Sequence, residues 1–433
     1  MGTVILLFVI VLVVVVVVVV VVGGVYLIKR FIKMMMNGID AFKSRKIQKQ
    51  IPPSITIEDK TRSVKADKAE DLLPEKSVDP SNNNNIPQPE PERIIMQKEL
   101  VIDEKYDNQD FIPLAEKITA AYQEIGKKIF GMENIIEQCM IVLFSGGHVL
   151  CEGLPGLAKT TLAKAFAEVF SCEFKRCQFS PDLLPSDLLG DRIYNQVKNS
   201  FEFQKGPVFT QILLADEINR SPAKTQAALL EVMQESQVTL FGIRHLIGSV
   251  SGLDEQLQAN RIFCTIATQN PVEQEGTYRL PEAQLDRFMF RLFFDWPTRE
   301  SELAVLNNEG ISPTNIEPCM NSAEIVMWKN KIASEVFVPE TIKNLIVDTI
   351  RATRTADEVA VGAGPRASQV LLRGAKVAAA FAGRSYVTES DVRKLIFPVL
   401  NHRLIIKPEV LFEHPDQTGK ALLENIIQKI APK

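Results

Sequence analysis

The chain runs to 433 residues, 46% of them hydrophobic, which is enough material for two or three domains with cores of their own. A formal net charge of −4 provides no global basic field of the kind that nucleic acid attracts, so a nucleic-acid motor is disfavoured. The six cysteines form no C-x-x-C pair and the four histidines are scattered, which points to neither a metal cluster nor a disulfide framework and suits a reducing compartment.

From Val4 to Ile28 no residue carries a charge, and Val13 to Val22 is an unbroken valine run. As a helix this stretch would span roughly 37 Å, long enough for a bilayer core with some tilt. Its charges (Lys29, Arg30, Lys33, Lys43, Arg45) follow the apolar run, the reverse of a cleaved signal peptide. The expectation is an N-terminal transmembrane helix over residues 1–30, with everything after it in the cytoplasm by the positive-inside rule. Residues 31–110 start as a basic juxtamembrane segment. From about Gln50 they lose periodicity and fill with Pro, Asn and Ser, as in Ser81-Asn82-Asn83-Asn84-Asn85, so a disordered tether is expected. A folded module begins near Phe111.

The stretch GLPGLAKTTLAK, 153 to 164, nearly fits the phosphate-cradling pattern G-x-x-x-x-G-K-[ST]. That pattern turns consecutive backbone N–H groups into one concavity and adds a lysine for the β/γ oxygens and a hydroxyl for Mg²⁺. The residues placed at the nucleotide are Gly153, Pro155, Gly156, Leu157, Ala158, Lys159, Thr160 and Thr161, with Thr160 also a metal ligand. Ala158 stands where the last glycine is usual; it adds one methyl group, which an unstrained backbone can carry. Before the loop, His148 to Glu152 is a short apolar run of strand type. After it, Leu162, Ala163, Phe166 and Val169 fall at helical spacing. A glycine turn between a core strand and a core helix would read the same way, so the next element carries weight. Ile212 to Glu217 is an apolar strand ending in two acids, with Asp216 suited to hold Mg²⁺ and Glu217 to polarise the attacking water.

Taken in order, Ile129-Phe130-Gly131, GLPGLAKT at 153 to 160, LLADEINR at 213 to 220, ATQNP at 267 to 271, EGTYRLPEAQLDRF at 275 to 288 and GPRAS at 364 to 368 resemble a MoxR-type AAA+ ATPase of the branch whose second helix is interrupted by an insert. The resemblance covers the chain from about Phe111 to its end, and that family's own loop carries alanine before the lysine. It implies an α/β fold, an AAA+ P-loop αβα sandwich with a parallel sheet over 111–298, and a C-terminal all-α lid domain over 299–433. The lid would close over the nucleotide at the crevice outside the strand ends. Phe130 and Gly131 would also lie at the nucleotide. The catalytic set would be Glu217, Asn270 as the polar residue that helps place water, Arg287 as arginine finger, and Arg366 as the lid's sensor arginine. An arginine offers a bidentate charge to a developing phosphoryl charge.

Two further stretches match that branch. Residues 191 to 208 alternate like a hairpin around Asn199-Ser200, and residues 237 to 247 turn at Gly242. Both are candidates for contact with a substrate, although two hairpins that merely pack on their neighbours would look alike. Lid helices are expected over 301–308, 322–333, 339–353, 367–382 and 389–400, with Ser390-Asp391 reading as a helix cap. The chain departs from the family in its anchor and tether, in Arg279 where proline is usual, and in a longer connection over 248–260.

The reading is a membrane-tethered ATPase that uses ATP and Mg²⁺ to remodel, assemble or activate a client protein complex. It would work as a ring, a hexamer by resemblance, with a von Willebrand factor A domain protein as the leading client and no nucleic acid expected. A metal-chelatase motor subunit shares the inserted hairpin. An anchored scaffold that binds ATP without turnover is the non-enzymatic alternative, against which Glu217 and Asn270 weigh.

Overall fold

The computed structural model describes residues 109–271, 277–307, 315–413 and 419–430. The apolar segment from Val4 to Ile28 and the tether up to residue 108 lie outside them. Among the described residues no helix is long and apolar enough to cross a membrane.

Helices α1 (Ile112–Gly126) and α2 (Glu133–Phe144) precede the first strand. In α1 the buried residues Leu114, Ile118, Ala121 and Ile125 recur at three and four positions, a single apolar stripe. β1 (Val149–Gly153) leads through the glycine loop into α3 (Lys159–Val169), β2 (Phe174–Gln178), the short α4 (Pro185–Leu189), and a hairpin of β3 (Gly190–Asn195) and β4 (Ser200–Lys205). β5 (Ile212–Asp216) is followed by α5 (Ala223–Glu235), a second hairpin of β6 (Gln237–Leu240) and β7 (Ile243–Leu246), β8 (Cys264–Gln269), the one-turn α6 (Glu282–Leu285) and β9 (Phe290–Phe294).

Five strands form one sheet in the order β2, β5, β8, β1, β9, every neighbouring pair parallel. β1 and β5 are buried along their whole length, as strands covered on both faces are. Alternate residues feed opposite layers. Ile212 and Leu214 join the core that holds the apolar faces of α1, α2 and α3, whereas Leu213 and Ala215 join the one that holds Leu229 and Leu230 of α5. The result is an αβα sandwich.

The C-terminal part comprises α7 (Arg299–Asn307), α8 (Ser322–Glu335), α9 (Glu340–Ala352), β10 (Val359–Val361), α10 (Pro365–Phe381), α11 (Glu389–Leu400), β11 (Ile405–Ile406), α12 (Pro408–Glu413) and α13 (Gly419–Ile430). One expectation is corrected here. The lid is not all-α, because β10 and β11 pair antiparallel, with β-branched Val359, Val361, Ile405 and Ile406 supplying the strand-forming residues. α10 packs on α1 and α2, α11 packs on β9, and Lys420 of α13 pairs with Asp295 just past the end of β9. Val370, Leu371, Leu395 and Val399 share one core with Val149 and Phe290, so burial of apolar area fixes the lid to the flank of the sandwich. The α11 cap is built by Thr388 and Asp391, whose carboxylate accepts from the Thr388 N–H at 2.8 Å and is paired with Arg384 at 2.7 Å.

A buried guanidinium ties the lid to the sheet. The Arg403 side chain is 2% exposed; its Nε donates to Asp286 Oδ1 at 2.7 Å, and Nη2 donates to the carbonyls of Phe288 (2.7 Å) and Asp286 (3.2 Å). Nη1 donates to Met289 and Val399 carbonyls. The turn before β9 is therefore hydrogen-bonded to the lid through its backbone as well as its side chain.

His148 makes a comparable junction under the start of β1. Its Nδ1 accepts from the Thr265 N–H at 3.0 Å, which leaves Nε2–H to donate to the Met233 carbonyl at 2.8 Å. Burial pushes its pKa down from 6.5 to about 4; the hydrogen bond to Met233 opposes the shift, and the charges of Arg373 and Arg366 add to it. Between those values the unfolded chain binds the proton and the folded chain does not, so stability is present above pH 6.5 and is lost as the pH falls toward 4. At pH 5 the loss from this group is about 2 kcal/mol. Urea titrations at pH 7.5 and pH 5 should show His148→Gln losing less stability on acidification than the parent. An equal loss in both would remove His148 as the cause.

Candidate active site

Three adjacent strands end at one level of the sheet. Glu152 of β1 stands opposite Gln269 of β8, and Ala215 of β5 stands opposite Ala267. The C-terminal ends of these strands thereby bring together the glycine loop after β1, Asp216 and Glu217 after β5, and Asn270 after β8. Asn270 is buried, and its carbonyl accepts from the Asn219 side chain at 3.3 Å.

Each loop residue has an identifiable place. Gly153 is required by packing: a Cβ there would lie 2.7 Å from the Phe294 Cβ and 2.8 Å from its carbonyl oxygen, where β9 runs beside β1. Pro155, Gly156 and Thr161 are exposed, Leu157 is buried, and Lys159 and Thr160 are half-buried. Ala158 has φ +52° and ψ +17°, in the left-handed region. The backbone there is strained, contrary to the unstrained alanine read from the sequence, at a cost on the order of 1 kcal/mol or more. α3 starts directly behind it with no side-chain cap and no acid in its first turn, so its first N–H groups face outward without competing partners. The Lys159 ammonium donates to the Gly153 carbonyl at 2.6 Å. Burial holds its pKa below the usual range, opposed by the nearby Cys151, Asp216 and Glu217. An uncapped helix start, a half-buried lysine, the Thr160 hydroxyl and the Asp216 carboxylate fit a nucleotide phosphate chain with a hard, oxygen-seeking cation such as Mg²⁺.

The two acids are held by residues on both neighbouring strands. The Thr268 hydroxyl donates to Asp216 Oδ1 at 2.6 Å and accepts from the Glu217 N–H at 2.9 Å. Glu217 has φ +57° and ψ +49°, a second left-handed non-glycine residue in the site. Its carboxylate accepts from Gln178 Nε2 at 2.7 Å and faces Arg220 at 3.4 Å. From β2, Arg176 donates to Asp216 Oδ2 through Nε at 3.1 Å and Nη2 at 2.7 Å. Thr268, Arg176 and Gln178 were not singled out in the sequence. The signal for the last two was a pair of long polar side chains two residues apart on a strand, flanking buried Cys177.

Arg287 and Arg366 are not brought to this loop. Phe290, three residues after Arg287, pairs with Val149 at the start of β1, while Gly153 at its end pairs with Phe294. The length of β1, roughly 13 Å, thus separates the arginine's end of the sheet from the loop. Arg287 makes no ion pair among the described residues and is half-buried. Arg366, at the start of α10, faces the Asp286 carboxylate at 3.9 Å. It is therefore at the same end as Arg287. The lid's attachment to the flank of the sandwich is the reason.

Phe130 is half-buried, and Gly131, φ +70°, lies where a Cβ would meet the Ser301 hydroxyl of α7 at 2.1 Å. Gly131 also borders a cavity of ≈ 300 Å³ with Trp296 and Pro297, and no residue of the 153–160 loop lines it.

Both hairpins form, with one shift: β4 starts at Ser200, so the first turn spans residues 196–199. In the second, Phe241 (φ +53°) and Gly242 (φ +77°) are both left-handed. The hairpins touch: the Arg192 guanidinium lies 4.6 Å over the Phe241 ring, and the Phe203 and His245 rings are 4.5 Å apart. Beyond those contacts Ile193, Tyr194, Val197, Phe201 and Ile243 remain exposed.

Residues 148–290 match the model of the ATPase family associated with various cellular activities (AAA), and residues 351–426 match an AAA lid domain. The chain is 37% identical to Chaperone MoxR1 of Mycobacterium tuberculosis over 317 residues, which cover 71% of this chain and 80% of that protein. It is 39% identical to YeaC of Bacillus subtilis over 307 residues, 70% of this chain and 91% of that one. A crystal structure from Cytophaga hutchinsonii, an ATPase by assignment, shares 38% identity with a TM-score of 0.66, covering 74% of this chain and 96% of that chain.

Proposed function

The chain belongs to the MoxR family of AAA ATPases, and from that premise we propose that it hydrolyses ATP to remodel, assemble or activate a client protein complex while tethered to a membrane. The carrying observation is the common level at which β1, β5 and β8 end, with the loop, the two acids and Asn270 around one space. In this reading Lys159 and the α3 N–H groups bind the phosphates, Thr160 and Asp216 hold Mg²⁺, and Glu217 polarises water positioned with Asn270. The cation supplies charge neutralisation for the phosphate oxygens. Thr268 fixes both acids at once, so neither needs to reorganise as charge develops.

Arg287 and Arg366 serve a different site from their own. Their common end of the sheet supports a closed ring in which each subunit lends both arginines to its neighbour. Six subunits and a von Willebrand factor A domain client are the proposal's further terms, taken from the family. The exposed apolar residues of the two hairpins are the surface offered to that client. The charge-free segment followed by Lys29, Arg30 and Lys33 supports an anchor with the ATPase on the cytoplasmic side.

Phosphate release by the full chain in Mg-ATP tests the reading. Lys159→Ala should abolish both nucleotide binding and release. ATP affinity undiminished in that variant would overturn it.

A further inference from the structure

Arg176 stands where a divalent cation would be expected to exert its charge. Its Nε and Nη2 both donate to Asp216 Oδ2, at 3.1 and 2.7 Å, and the other carboxylate oxygen is taken by Thr268 at 2.6 Å. Asp216 is buried to 9% exposure, so its charge requires a partner. Arg176 comes from β2, on the far side of β5 from the loop, and Nη2 also donates to Gln178 Oε1 at 2.6 Å. That bond orients the Gln178 amide so that its Nε2 reaches Glu217. Half of the Arg176 side chain is exposed, so it can withdraw into solvent at small cost.

We propose that Arg176 is a positioning residue that occupies Asp216 as a surrogate cation and competes with Mg²⁺ for that carboxylate. The inference rests on the ATPase reading above, in which Asp216 serves the metal. A guanidinium neutralises Asp216 through N–H donors but has no lone pair with which to hold a cation, and with Nε and Nη2 both on Oδ2 it covers the carboxylate oxygen that Thr268 leaves open. Arrival of Mg²⁺ with a nucleotide must therefore displace Arg176 from Oδ2. The residue sets how much Mg²⁺ the site demands, and contributes little to the affinity for the nucleotide without metal.

The test uses the full chain and fluorescent N-methylanthraniloyl-ADP, titrated with MgCl₂ at fixed nucleotide and, separately, measured in EDTA. Arg176→Gln should lower the half-saturating Mg²⁺ about 3- to 10-fold, a range kept modest because the pair is half exposed. Its affinity for the probe in EDTA should stay within about twofold of the parent. Arg176→Lys, which keeps the charge, should restore most of the parental Mg²⁺ demand. Thermal melting shows whether each variant is folded, and Arg176→Met, which keeps the aliphatic stem, replaces the glutamine variant if that one is not. Folded Arg176→Gln or Arg176→Met with an unchanged or raised Mg²⁺ midpoint would overturn the proposal. If the parent itself binds no probe with or without Mg²⁺, the ATPase reading is what fails.

Discussion

Arg287→Ala should bind ATP almost as the parent does and hydrolyse it about 10³- to 10⁵-fold more slowly, the range over which an arginine supplied in trans acts. Arg287 lies before β9, at the level of Val149, whereas the phosphate loop begins at Gly153, at the other end of β1. No side-chain rotation spans roughly 13 Å of strand. In the ring proposed above, its charge would complete a transition state in the neighbouring subunit. Mixing makes the expectation specific. Lys159→Ala subunits lack the phosphate-binding lysine yet still carry Arg287, so adding them to Arg287→Ala subunits should recover part of the activity. Arg366→Ala belongs to the same complementation group, because Arg366 lies at the same end, facing Asp286. The readout is phosphate release by the mixture, with co-assembly shown by co-elution. A co-assembled mixture as inactive as either parent would end the shared-site mechanism.

Glu217→Gln should keep nucleotide affinity and lose hydrolysis by about 10²- to 10⁴-fold, the range for removing a general base. Glutamine is close in shape, and the Thr268 hydroxyl that accepts from the residue 217 N–H is untouched, so the left-handed backbone at that position has the same support. Single-turnover hydrolysis and nucleotide binding, measured side by side, separate the two effects. Turnover within tenfold of the parent would remove Glu217 from the chemistry. The variant should also hold an ATP-dependent client long enough for capture.

The sandwich and the residues gathered at the candidate site were legible because both are written in local pattern. β1 and β5 are short apolar runs, the loop repeats a known spacing, and the acids follow β5 directly. What escaped depends on contacts between distant segments. Arg176 and Gln178 matter only because β2 pairs with β5, a pairing that places Gln178 opposite Asp216. Thr268 matters because β8 enters the sheet between β5 and β1. The position of Arg366 follows from where α10 and α11 bury their apolar faces, which periodicity cannot give. The ribbon of β10 and β11 joins segments more than forty residues apart, each too short to read as a strand alone. Ala158 illustrates a different limit: the motif showed that alanine is compatible with the loop, but only the backbone dihedrals show that it is strained there.

The buried Arg403 has a mechanical consequence. Because its guanidinium grips Asp286, Phe288 and Met289 by their backbone carbonyls, the turn carrying Arg287 and the lid carrying Arg366 move as one lever. A hinge between lid and sandwich would have to break those bonds with the charge still buried. In the proposed ring, rotation during turnover would then fall at the seams between subunits, with each sandwich and its lid passing it on as one stiff body.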